Sequence, residues 1–328
     1  MSNEPLVLLK NLVSNDLNKV NKLIMEFAKG KSTELIDIVS KHITSSGGKR
    51  LRPMLTLIAA KLFNTQNAQN HVFLATAVEF IHTATLLHDD VIDESKTRRG
   101  VATANNVWGN KSSILVGDYL FSQAFKLMVK TKSITVLEVL STASAIISEG
   151  EIEELQLLGN ADISIKDYIK LITAKTAVLF SSACKVGAIV SNAHQDQIKA
   201  LRDYGLNLGI CFQIADDILD YFAQDVQFGK KIGNDFCEGK ITLPLIMAYT
   251  DNKHIKNQII DLLLKSDKSE NDFLKIQALL KQSNVEQKIQ ELSNHYIDQG
   301  IKALHLFPDS EIKNVLVNLI KFSITRTF

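Results

Sequence analysis

The chain has 328 residues, 45% of them apolar, with 37 basic against 36 acidic side chains and a net charge near +1. That balance excludes a nucleic-acid binder driven by phosphate attraction, which would carry a marked basic excess. Three widely spaced cysteines, Cys184, Cys211 and Cys237, exclude a disulfide framework and point to a reducing, cytoplasmic compartment.

Only four prolines and fifteen glycines interrupt apolar residues that recur at three-to-four spacing, so the expected fold is all-α. Residues 1 to about 30 read as a helical lead packing on the outside. The run MSNEPLVLLKNLVSND places acidic and amide residues around four apolar ones and does not read as a secretory signal. Gly47-Gly48 breaks the chain before Lys49-Arg50-Leu51-Arg52-Pro53, and Pro53 suits the first turn of a helix continuing through Leu55, Ile58, Ala59 and Leu62. Lys49, Arg50 and Arg52 match a diphosphate, because a helix start already favours anions and arginine adds bidentate donors; a solvated basic turn is the alternative.

From Ala68 to Asp93 a long helix runs into the acid triplet Asp89/Asp90/Asp93. Its outer acids stand about one turn apart on one face, with the middle acid roughly 100° round. His82 lies two turns before Asp89 on that face, placed to donate to an anion, and the polar exit loop 95–102 keeps Arg98 and Arg99 close to the acids. Helices over 114–129 and 133–158 follow. The second has a Ser/Ala-rich side that suits close packing, either between subunits or within the core.

Helices over 168–190 and 194–221 come next. Lys175-Thr176 interrupts the apolar pattern of the first, where a threonine can bond the backbone, bend the helix and leave a carbonyl exposed. Gln213 precedes the second triplet, Asp216/Asp217/Asp220, by three residues on the same face. Residues 223–239 mix Gly229, Gly233 and Gly239 with Lys230, Lys231 and Lys240 and read as a mobile basic loop that closes over a charged ligand. Residues 244–328 read as scaffold helices with links near 250–254 and 265–271. No apolar stretch reaches about 18 residues, so no helix is expected to span a membrane.

Three like charges among apolar neighbours demand a cation. Magnesium fits best, since it takes oxygen ligands and usually binds through one or two carboxylates plus substrate phosphates; neither an EF-hand loop nor zinc-like His/Cys spacing is present. One such triplet is most simply a solvated acidic face. Two copies, each followed by basic clusters, point to metal-assisted departure of a diphosphate, giving a carbocation that a second substrate captures. Exposed carbonyl, amide and hydroxyl dipoles at Thr176 and Gln213 would stabilise that cation without reacting with it. No nucleophilic triad is needed, and none is evident.

The segments GGKRLRP (47–53), FIHTATLLHDDVIDESKTRRG (80–100), GDYL (117–120), the Lys175-Thr176 pair, CFQIADDILDY (211–221) and FGKKIGNDFCEGKITLPLI (228–246) closely resemble the trans-type polyprenyl diphosphate synthases, in particular the long-chain, octaprenyl-like branch that makes quinone side chains. The resemblance implies a single large helical bundle of the isoprenoid synthase type over residues 1–328, with a central apolar cavity and the triplets facing across it. It further implies a homodimer, with peripheral membrane contact for product release. Several magnesium ions would be held by Asp89 and Asp93 on one side and Asp216 on the other, assisted by Asp90, Asp217 and Asp220. Lys49, Arg52, His82 and Arg99 would hold isopentenyl diphosphate. Arg98, Lys175, Lys240 and one of Lys230 or Lys231 would hold the allylic diphosphate, with Thr176 and Gln213 facing the cation. Released diphosphate would take the proton that restores the double bond.

Two positions depart from the family pattern: Asn234 stands where the long-chain branch commonly has an acid, and the ending SITRTF leaves Arg326 without a role. Ala84 and Thr85 lie one turn deeper than Asp89, where short-chain members carry bulky aromatics, so the tunnel should be open there and end at deeper side chains. Leu127, Met128 and Leu140 are the candidates for its floor, with plain core packing as the alternative for each. A class I terpene cyclase would need no isopentenyl diphosphate site, and a non-catalytic partner subunit would typically lose acids from one triplet; two intact triplets and GGKRLRP disfavour both.

Overall fold

Apolar stripes at helical spacing give helices almost throughout, as expected for an all-α chain. The computed structural model describes residues 4–30, 33–45, 48–63, 69–160, 162–222, 233–250 and 252–325. Gly47, Ala68, Gly229, Lys230, Lys231 and Arg326 lie outside them.

The N-terminal lead forms α1 (Glu4–Leu12) and α2 (Ser14–Phe27), with Leu9, Leu17, Val20, Ile24 and the intervening Val13 buried. It is therefore less peripheral than expected: α1 packs on the C-terminal helix and α2 on the long helix that carries the first triplet. After α3 (Glu34–Ser45), α4 (Leu51–Lys61) is buried from Pro53 to Ala60. It starts two residues before Pro53, behind Arg50 in the left-handed region (φ 51°). The long helix α5 (Asn70–Ile92) is buried along most of its length and leads to the first triplet.

The expected exit loop is a small antiparallel hairpin, β1 (Thr97–Arg98) and β2 (Val101–Ala102). Arg99 (φ 53°) and Gly100 (φ 76°) form its two-residue turn, where two positive φ values give the twist such a hairpin needs. Next come α6 (Ala104–Trp108), α7 (Asn110–Lys130) and α8 (Ile134–Leu157). Ala143, Ser144, Ile147 and Gly150 of α8 are buried, so much of its Ser/Ala side is core packing.

The expected helix 168–190 is α9 (Ile165–Ile172), a π-helical turn (Thr173–Ala177) and α10 (Val178–Ile189). By length and composition this stretch, Ile165–Ile189, is apolar enough to cross a membrane, contrary to the sequence expectation, because Lys175 and Lys185 only dilute it. It is 61% buried inside the protein, as a core helix is. The second triplet ends α11 (Gln195–Phe222). Within the expected basic loop, Asn234–Glu238 is a short helix, α12. The scaffold follows as α13 (Leu243–Tyr249), α14 (Lys253–Leu263), α15 (Glu270–Gln282), α16 (Val285–Ala303) and α17 (Glu311–Thr325). One apolar cluster joins all this, reaching from Leu9 to Ile324.

Close crossings set the positions of the central helices. A Cβ on Gly209 of α11 would stand 2.6 Å from the Ala177 Cα, so only glycine lets α11 lie against the π turn. Gly209→Ala is expected to destabilise the fold by about 1–3 kcal/mol, the usual cost of overpacking, as a lowered urea midpoint at unchanged m-value.

Candidate active site

The two triplets divide their labour by position. On α5 the middle acid, Asp90, points into the protein: Arg98 Nε donates to its Oδ1 (2.8 Å) and Asn105 Nδ2 to its carbonyl (2.9 Å). The hairpin swings Arg98 back onto this carboxylate, so the arginine expected at the allylic diphosphate is here an ion-pair partner. Asp89 and Asp93 are half-buried at the helix end. Burial, then the negative charge of Glu151, pushes the Asp89 carboxyl up to about 8, against Lys175 and Arg98.

On α11 the middle acid is again turned inward. Asp217 accepts from the Tyr168 hydroxyl (2.6 Å) and from Gln213 Nε2 (2.7 Å), and burial holds it up at about 7 against those two bonds. Asp220 accepts from the backbone N–H groups of Asn234 (3.2 Å) and Asp235 (3.0 Å), which anchors α12 to the end of α11. Burial raises the Asp235 carboxyl well above its ordinary range, with Asp217 and Asp220 adding to it.

A continuous set of bonds joins the triplets. Lys240 Nζ donates to Asp93 (3.1 Å) and lies 2.8 Å from Glu238 and 3.7 Å from Glu154; its backbone N–H donates to the Asp235 carbonyl (2.8 Å). The path Asp93–Lys240–Asp235–Asp220 therefore runs from the end of α5 to the end of α11. Lys175, leaving the π turn, pairs with Glu151 (2.8 Å) and Glu154 of α8. The two lysines expected to hold diphosphate thus sit on carboxylates here, Glu154 serving both.

Basic groups converge on the other side. Arg52 lies over the Phe180 ring (4.4 Å to its centre), with Nη1 3.1 Å from His82 Nε2, while Arg50 pairs with buried Glu79 and donates to the Thr44 carbonyl (2.9 Å). Burial draws Arg52 down to about 10 against Glu79 and Asp216, and its Nε is buried without a hydrogen-bond partner. Burial, reinforced by Arg52, Arg99, Arg98 and Arg50, holds His82 well below its ordinary range. His82 is accordingly neutral, and Nε2 accepts from Arg52, so only Nδ1–H is left to donate. A Cβ on Gly48 would meet Arg99 Nη1 at 3.2 Å, which places the glycine break beside the hairpin arginine. Lys49 is exposed at the rim.

Thr176 does not bond its own backbone as expected. The π turn widens the helix, and the hydroxyl donates to Gln213 Oε1 (2.8 Å). Ala84 is fully buried, and half-buried Thr85 donates to the His82 carbonyl (2.9 Å). Leu127 and Met128 of α7 and Leu140 of α8 are buried in the core beside these elements.

Sequence reasoning passed over Glu79, Glu151, Glu154 and Tyr168. Glu79 precedes His82 by three residues, and Glu151 and Glu154 are a helical i, i+3 pair; those spacings were the available signals. Tyr168 had none. Among the described residues no three Asp, Glu, His or Cys side chains form a ready-made metal cage. The oxygen-only donors suit a hard cation that completes its shell with phosphate and water, and one would relieve the strain that pushes Asp89 toward protonation.

This arrangement, all-α with acids at the ends of two central helices, is the isoprenoid synthase fold, and it recurs along nearly whole chains of prenyltransferases. A crystal structure of a polyprenyl synthase from Caulobacter crescentus CB15 complexed with calcium and isoprenyl diphosphate matches with TM-score 0.93 at 40% identity, covering 98% of each chain. That of a decaprenyl diphosphate synthase from Rhodobacter capsulatus gives 0.92 at 42%, again over 98% of each. The octaprenyl diphosphate synthase of Escherichia coli (strain K12) is 37% identical over 318 residues, 97% of this chain and 98% of that one. The family profile described as Polyprenyl synthetase matches residues 33–280, and the chain belongs to that family.

Proposed function

We propose that this enzyme elongates an allylic diphosphate, farnesyl diphosphate as primer, by successive condensation with isopentenyl diphosphate, to an octaprenyl-length all-trans product for a quinone side chain. The observation that supports this is the bonded path Asp93–Lys240–Asp235–Asp220, which joins the ends of the two helices that carry the triplets. Asp89, Asp93 and Asp216 would hold magnesium, with Asp220 assisting and Asp90 and Asp217 fixing the helix ends behind them. Magnesium held there would supply Lewis-acid neutralisation of the leaving diphosphate's charge. Lys175 and Lys240 exchange carboxylate partners for the allylic diphosphate, joined by Lys230 or Lys231. Arg52, Arg99, Lys49 and the Nδ1–H of His82 hold isopentenyl diphosphate, and Thr176 and Gln213 face the cation.

Incubation with farnesyl diphosphate, labelled isopentenyl diphosphate and magnesium, followed by chromatographic sizing, should give octaprenyl-length product. Product no longer than the primer, or turnover that survives EDTA, sinks the proposal. Arg52→Lys should raise KM for isopentenyl diphosphate about tenfold with a smaller change in kcat, because lysine replaces neither the stacking on Phe180 nor the planar fork.

The same proposal includes a homodimer acting as one unit per chain in the cytoplasm. Ile114, Leu115, Phe125 and Val129 fall on one face of α7 and are exposed, as is Ile134 at the start of α8, 84% accessible. Leu115→Glu with Val129→Glu should shift sedimentation from dimer to monomer; unchanged sedimentation would place the interface elsewhere. Free thiols at Cys184, Cys211 and Cys237 support a reducing compartment. The lipid nature of the product is the ground for peripheral membrane contact.

A further inference from the structure

Four side chains from three elements form one bonded chain: Tyr168 of α9, Asp217 and Gln213 of α11, and Thr176 of the π turn, at 2.6, 2.7 and 2.8 Å. We propose that Tyr168 is a positioning residue for the condensation: through Asp217 and Gln213 it directs the Thr176 hydroxyl so that its oxygen lone pairs, not its proton, face the allylic cation. This rests on the function proposed above.

Donors and acceptors along the relay fix its sense. Both Asp217 oxygens are taken as acceptors, Oδ2 by the Tyr168 O–H and Oδ1 by the NH2 side of Gln213. That fixes the amide with Oε1 toward Thr176, and the single hydroxyl proton of Thr176 is consumed there. What Thr176 presents elsewhere is an acceptor, the dipole sense that stabilises developing positive charge. With the amide reversed, the Gln213 NH2 would donate to Thr176 and free the hydroxyl proton to point at the cation. Tyr168 is 2% exposed, so water does not compete for its hydroxyl, and its ring is clamped in the core.

Tyr168→Phe keeps the ring and removes only the hydroxyl. In the full-length enzyme with farnesyl and isopentenyl diphosphates and magnesium, it should lower kcat about tenfold, as loss of one oriented hydrogen bond does, with KM for both substrates within about twofold. Thr176→Val should cost about a hundredfold, and adding Tyr168→Phe to it should cost nothing further, because the relay acts only through that hydroxyl. Wild-type kcat in Tyr168→Phe, or multiplying losses in the double variant, overturns the relay. If Tyr168→Phe proves unfolded by circular dichroism, Gln213→Met cuts the chain one link later and must show the same non-additivity with Thr176→Val. A wild-type chain that condenses nothing overturns the functional reading and the relay with it, whereas failure of the relay alone appears as a fully active Tyr168→Phe beside an active wild type.

Discussion

Asp89→Asn is expected to lower kcat about a thousandfold while the protein stays folded, a loss of about 4 kcal/mol in transition-state stabilisation, the scale of a displaced Lewis acid. The environment explains why this position should dominate. Burial and Glu151 already push the Asp89 carboxyl up to about 8, so without a divalent ion its charged form is disfavoured. A cation held there sits among groups too poorly solvated to screen it, and its effect on a leaving diphosphate is correspondingly strong. Asparagine preserves size and removes the charge, so thermal stability without metal should hold or rise, as it does when a disfavoured buried charge is neutralised. Asp90→Asn provides the contrast: its side chain accepts from Arg98 inside the protein, a bond the Asn oxygen can keep, so its kcat should fall much less than that of Asp89→Asn. Steady-state assays with a melting curve for each variant separate the two. An Asp89→Asn enzyme retaining more than about a tenth of wild-type kcat would remove Asp89 from the metal site.

Ala84→Tyr is expected to shorten the product to about three or four isoprene units, because on the proposed path side chains one helical turn below the acids would flank the growing chain. Ala84 is fully buried on α5, which packs on α7, the helix of the buried Leu127 and Met128. The ring therefore takes up tunnel or strains the core. The strained outcome would appear as about 1–3 kcal/mol of lost stability with product length unchanged. Chromatography of extracted products distinguishes them: unchanged length in a stable variant would show that elongation does not run past Ala84. Thr85, whose hydroxyl is tied to the His82 carbonyl, should tolerate enlargement less well, since that bond shapes the turn carrying His82.

Much of the candidate site was legible in the sequence. The triplets, the basic segment before Pro53, His82, the Lys175-Thr176 pair and Gln213 all stood out because each is a local departure from an apolar helical pattern. Local departures survive in one dimension. The small hairpin was less visible, since two paired residues on each side of Arg99-Gly100 are too short for alternation to register. The π turn was half legible: a bend at Thr176 followed from its residue type, but not that its hydroxyl would reach Gln213, 37 positions on.

By itself the sequence determined the helices and which of their faces carry acids, because side-chain period and residue chemistry are properties of neighbours along the chain. Only the tertiary structure decided who neutralises whom. Lys240 meets Asp93 across 147 positions, Tyr168 meets Asp217 across 49, and Glu154 receives both Lys175 and Lys240, pairings made when α8 and α11 pack on the π turn and α5 on α10. Such contacts depend on where whole helices come to rest, which side-chain volumes and glycine crossings such as Gly209 set jointly, and no window along the chain contains that information.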